Sequence, residues 1–138
     1  MFDIVAKAFF LADHASVENG KLYVNGGFWT HLGFGEYPAT HPAFSVVTVL
    51  EVPWGLFDQS HHFSIWLEDL DGRPMGVEIE GDFRVDAANA ARVGDPTIIP
   101  LAPTVYGVQF LTPGDYTFVL RVNDIELSRA RCTASLRT

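Results

Sequence analysis

The chain has 138 residues, 48% hydrophobic and 13% aromatic, which suits one domain with a full core and excludes a mainly disordered polypeptide. Its net charge of −8, with only nine Lys plus Arg and no basic run, argues against nucleic acid as a partner. A single cysteine, Cys132, excludes an internal disulfide.

The N-terminal stretch MFDIVAKAFFLADH is apolar, but it has no basic start, and Asp3 and Lys7 interrupt it. It does not read as a signal peptide. No apolar run reaches the roughly 20 residues of a membrane helix, so no membrane partner is expected and the expected location is cytoplasmic. Asn-Gly then occurs twice, at Asn19-Gly20 and Asn25-Gly26, with four residues between. Two hairpins would leave a strand shorter than usual. The expectation is therefore a hairpin at Glu18–Lys21 and one strand from Lys21 to about Leu32, bulged at Asn25-Gly26-Gly27.

Pro42 to Val52 is apolar on both faces and predicts a central, covered strand. Pro53 to Asp58 (PWGLFD) reads as a loop. Phe63, Ile65 and Leu67 alternate with Ser64, Trp66 and Glu68, which predicts a strand with Trp66 and His62 facing out. Asp69-Leu70-Asp71-Gly72 turns the chain into Val77–Val85, where apolar residues or Gly alternate without error with charged ones. Asp86 to Arg92 has good helix formers, enough for a helical turn but too short for a stable helix. Tyr116, Phe118, Leu120 and Val122 line one face of a strand, and Asn123-Asp124 fits a two-residue turn with both residues at positive φ. Frequent strands and turns, without internal repeats or linkers, predict one all-β domain over residues 1–138. The expected architecture is an antiparallel β-sandwich of eight or nine strands, immunoglobulin-like in character.

Several of these motifs are shared. Ala12-Asp13, Gly20-Lys21-Leu22, Gly26-Gly27 and Phe28-Trp29 resemble the opening pattern of an uncharacterised bacterial family of small β-rich proteins. Val52-Pro53-Trp54, Leu67 to Pro74 and Pro113 to Tyr116 extend the resemblance over most of the chain. The resemblance implies no activity. A weaker one, to immunoglobulin and fibronectin-type sandwiches, rests on Leu111 to Tyr116. It implies that the Tyr116 hydroxyl bonds back to the backbone across a corner.

The chemistry-bearing residues form no recognisable catalytic set. His14, His31, His41, His61 and His62 are scattered. His61 and His62 are neighbours on a strand and point to opposite faces, while His31 and His41 flank a loop and could approach one another. Glu78, Glu80 and Asp82 form a column with spacing that a glycosidase pair would tolerate, but nothing predicts the apolar pocket that raises one pKa. A charged strand face or sheet edge that resists aggregation is the expected reading. Asp69 to Gly72 lacks the further ligands of a calcium loop. Cys132 lies in a terminal strand with no base signalled near it. No Gly-x-Ser-x-Gly elbow, phosphate loop or dinucleotide fingerprint is present.

Aromatic residues give the remaining signal. Trp54 and Phe57 in the loop, and Trp66 with His62 on the strand, are the candidate binding residues. The expected function is a non-enzymatic interaction module for a protein partner or for copies of itself, without metal or cofactor. The alternatives are a carbohydrate or other small-ligand site built on an exposed Trp54 or Trp66, and, more weakly, a metal- or carboxylate-dependent hydrolase.

Overall fold

The computed structural model describes residues 3–137. Ten strands make two five-stranded sheets. The first sheet holds β1 (Val5–Glu18), β2 (Lys21–Gly27), β4 (Ala39–Val52), β7 (Thr97–Leu101) and β8 (Thr104–Phe110). The second holds β3 (His31–Phe34), β5 (Ser60–Glu68), β6 (Pro74–Arg84), β9 (Gly114–Val122) and β10 (Ile125–Leu136), in the order β3-β10-β9-β5-β6. Both β7 and β8 lie along the same edge of β4. Thr48↔Leu101 and Ser45↔Thr104 keep one register, so the two are a single line of chain interrupted at Ala102-Pro103. Ten strands thus occupy nine positions. All pairs are antiparallel except β3 with β10, which run parallel.

The period-two pattern sets the core. Phe44, Val46, Leu50 and Val52 of β4 face Ile65 and Leu67 of β5 and Phe118 and Leu120 of β9, all buried. Phe44 meets Phe118 edge-on at 5.8 Å across the two sheets. Cys132 is buried on β10, and burial pushes its thiol up to about 12, so at neutral pH it behaves as a small apolar residue.

Local turn chemistry forms the hairpins. Asn19 and Gly20 have φ of 51° and 74°, and Asn123 and Asp124 have 51° and 65°, the mirror-image two-residue turn in both cases. At the β5–β6 turn, Asp69 Oδ1 accepts the N–H groups of Asp71 and Arg73, both at 2.9 Å. The helical turn expected at Asp86–Arg92 is one 3-10 turn, Ala87–Asn89. The Tyr116 hydroxyl donates to Thr112 O at 2.6 Å.

The second Asn-Gly behaves otherwise than expected. The β1–β2 pairing runs through it in unbroken register, from Glu18↔Lys21 to Ala12↔Gly27, with no bulge. Gly26 instead adopts φ +61° directly against Asp13, where a Cβ would collide with the carboxylate. The strand ends at Gly27 rather than near Leu32. Residues 28–30 then carry the chain across to the other sheet, where His31 starts β3.

Each sheet also has an outer face, and the two differ. Cross-strand rows of the second sheet bring His62 beside Asp82, Ser64 beside Glu80 and Arg121, and Trp66 beside Glu78. Rows of the first sheet read Val5–Glu51–Ile98, Ala8–Val49–Pro100 and Phe10–Val47–Ala102. In those three rows Glu51 is the one charged residue. Val47 is sealed by Phe10, Leu22 and Ala102, and exposed Phe28 stacks on Phe10 at 3.9 Å. Val5 and Ile98 remain 44% and 49% exposed at the other end.

Candidate functional site

The segment between β4 and β5 is built tightly. Pro53 ends β4, and Trp54–Leu56 form a 3-10 turn. Phe57, expected on the surface, is only 6% exposed and is part of the main core. It is the plug that seats the turn, and Trp54 lies over it at 5.0 Å between ring centroids. Every carbonyl from Pro53 to Leu56 has a partner. Pro53 O accepts Leu56 N–H and Trp54 O accepts Phe57 N–H. Gly55 O accepts Gln59 Nε2–H at 3.2 Å, and Leu56 O accepts His61 Nε2–H at 2.8 Å.

His61 makes the last of these contacts from β5. Its other nitrogen, Nδ1, accepts from Asn123 Nδ2–H at 2.9 Å, which selects the tautomer protonated at Nε2. Asn123 Oδ1 in turn accepts His62 N–H. A buried histidine therefore ties the Trp54 turn to the β9–β10 turn. The sequence reading placed His61 opposite His62 but missed this positioning role. The available signal was that one of two adjacent strand histidines must turn inward and find partners there.

With the turn fixed, Trp54 is half-buried, and its indole N–H has no acceptor among the described residues. Pro53, Trp54, Leu56 and Pro96 line a groove of about 790 Å³, into which Asp3 and Glu51 also face. Glu51 has one distant partner, Lys7 Nζ at 3.8 Å. The groove opens beside Val5, so it continues the mostly apolar outer face of the first sheet.

Trp66 and His62 do face outward from β5, as their alternation predicts, and their surroundings are full. Trp66 Nε1–H donates to Glu68 Oε2 at 2.8 Å, and the Arg121 guanidinium sits 5.2 Å from the ring centroid. Glu68 also meets Arg129 at 3.5 Å, and Arg129 forms two hydrogen bonds to Glu126. Those bonds hold Glu126 below the usual carboxylate range and raise Arg129. His62 Nδ1–H donates to Asp82 Oδ1 at 2.8 Å, and Glu80 lies 3.8 Å away. The Asp82 bond raises the His62 pKa. The side chains of Trp54 and Phe57 therefore share one site and those of His62 and Trp66 a separate, ion-paired sheet face.

Glu78, Glu80 and Asp82 are exposed on β6, the edge strand of its sheet, where charge opposes edge-to-edge pairing. His31 and His41 have separate surroundings. The first pairs with Ser135 Oγ at 2.7 Å, whereas His41 packs between Trp29 and Phe44, and burial lowers its pKa. Among the described residues no three His, Cys, Asp or Glu side chains are grouped to hold a metal, and no helix is long and apolar enough to cross a membrane.

No curated protein matches the chain. Among solved structures it is similar to the Pseudomonas fluorescens alkylpurine DNA glycosylase AlkC bound to DNA containing an abasic site analog, at 12% identity and a TM-score of 0.46. That alignment covers 96% of this chain and 30% of the glycosylase. A family model matches residues 7–134, and the chain belongs to this family of unknown function, DUF6941.

Proposed function

We propose that this protein is a non-enzymatic interaction module whose contact surface is the Trp54 groove and the exposed Val5 and Ile98 beside it. One observation carries the reading: a mostly apolar groove on a closely hydrogen-bonded turn, whose tryptophan N–H has no acceptor among the described residues. Monomeric soluble proteins rarely leave contiguous apolar surface open without a use for it. The partner is another protein or a second copy of the chain.

The test has two arms. A photo-crosslinking residue at Leu56 should attach to a protein in cells, and the attachment should vanish in Trp54→Ala. Light scattering during size-exclusion chromatography, over a concentration series, should detect self-association that Ile98→Glu abolishes if the partner is a second copy. A monomer at every concentration, together with an empty crosslinking arm, overturns the reading.

A further inference from the structure

We infer that the Trp54 groove receives an extended, proline-containing segment of a partner protein that carries lysine or arginine. The inference rests on the reading of the groove as an interaction surface. It follows from what the groove offers and what it withholds.

The charges come first. Among the described residues the ionisable side chains lining the groove are Asp3 and Glu51, and the chain as a whole carries −8. The Lys7 contact to Glu51 spans 3.8 Å between side chains 53% and 32% exposed, a pair of little strength that an incoming cation displaces easily. The field in the groove selects a cation and opposes an acidic segment.

The backbone narrows the class further. All four carbonyls from Pro53 to Leu56 already accept hydrogen bonds within the protein. An incoming strand would bring N–H groups to carbonyls that each already accept one hydrogen bond, a poorer docking edge than the open edge of a sheet. Proline has no N–H. A segment in the polyproline II conformation presents outward carbonyls without internal partners. The Trp54 N–H, without an acceptor among the described residues, is a donor for one of them, and the Pro53, Trp54 and Pro96 rings pack its pyrrolidines. A carbohydrate would need several convergent polar side chains, whereas the groove is walled mainly by apolar ones.

Isothermal calorimetry on the full chain tests this with three ten-residue peptides of alternating proline and leucine that differ only in carrying two arginines, two glutamines or two glutamates. Maltohexaose is the fourth probe. The arginine peptide should bind at least about tenfold tighter than the glutamate peptide. Trp54→Phe keeps a ring and loses the N–H, and should weaken the arginine peptide about fivefold with an unchanged unfolding midpoint. Asp3→Asn with Glu51→Gln should bring the arginine and glutamine peptides to equal affinity.

Equal binding of all three peptides, all lost in Trp54→Ala, overturns the cationic partner while leaving the groove an interaction surface. Maltohexaose binding that needs Trp54 overturns the peptide class. Absence of binding by every probe, with the Leu56 crosslink still formed, overturns the partner chemistry alone. An empty crosslink and a concentration-independent monomer remove both readings together.

Discussion

Trp54 and Trp66 lie twelve residues apart, at two surfaces that differ in how they satisfy themselves. Around Trp66 each polar group is answered from within: the indole N–H by Glu68, Glu68 by Arg129, Arg129 by Glu126, and the ring face by Arg121. Around Trp54 the backbone is answered, and among the described residues the side chain is not. The difference teaches that aromatic exposure is a poor guide by itself. A half-buried tryptophan in a closed network leaves little for a partner, and one on a tightly bonded turn beside a mostly apolar surface leaves a donor, a ring and a groove.

The strongest test of that contrast separates anchor from contact within the turn. Phe57→Ala removes a core side chain and should cost about 3–5 kcal/mol in urea denaturation. Trp54→Ala, on the same turn but half-exposed, should cost about 1–2 kcal/mol. Equal losses would make Trp54 a core residue and erase the distinction.

Next, His61→Ala removes the bond that holds Leu56 O and leaves that carbonyl and the Asn123 Nδ2–H without a partner. About 2 kcal/mol should be lost. Amide exchange should also speed up across Trp54–Asp58 while β10 stays protected. Uniform loss of protection would show that His61 supports the whole sandwich rather than the turn.

On the other face, Glu68→Ala should lower stability by about 1 kcal/mol, since its bonds are partly exposed. It should also free the Trp66 indole N–H, read as a faster-exchanging proton signal. No change in that signal would mean that the Trp66 network is not what closes the surface.

The smallest effects concern pH and have opposite signs. Burial lowers the His41 pKa, so as pH falls through about 6.5 the unfolded chain takes its proton first. Stability then declines until the folded value is passed. The bond to Asp82 raises His62, so the folded chain takes its proton first. That contribution is fully present below about 6.5 and is lost as pH rises through the folded value. Between pH 7.5 and 5.5, His41→Phe should flatten the decline and His62→Asn should steepen it. The same sign for both variants would contradict the assignment of one histidine to an aromatic interior and the other to an ion-paired surface.

Much of the architecture was legible because it is decided locally. Alternation along Val77–Val85 and Phe63–Leu67 says which side chains share a face, since successive residues on a strand point oppositely. Asn19-Gly20 and Asn123-Asp124 say where the chain reverses, since those residues tolerate positive φ. The same logic misread Asn25-Gly26. A glycine at positive φ and a bulge leave similar patterns in sequence, and the partner strand distinguishes them.

What alternation does not say is what covers a face. Phe57 sits in a loop motif, yet the open end of the sandwich needed filling, and only the packing of β4 against β5 reveals that it fills it. Trp66 alternates outward, but Glu68, Arg121 and Arg129 reach it from positions that sequence distance does not connect. The groove is assembled from Asp3, from Glu51 to Leu56 and from Pro96, three segments brought together by the pairing of β1, β4 and β7. The sequence by itself determined the strands, their turns and the in-or-out sense of most side chains, because these follow from the backbone geometry of a few neighbouring residues. Only the tertiary structure decided which outward side chains are satisfied and which stay open, because that depends on distant charges and carbonyls meeting at hydrogen-bond range.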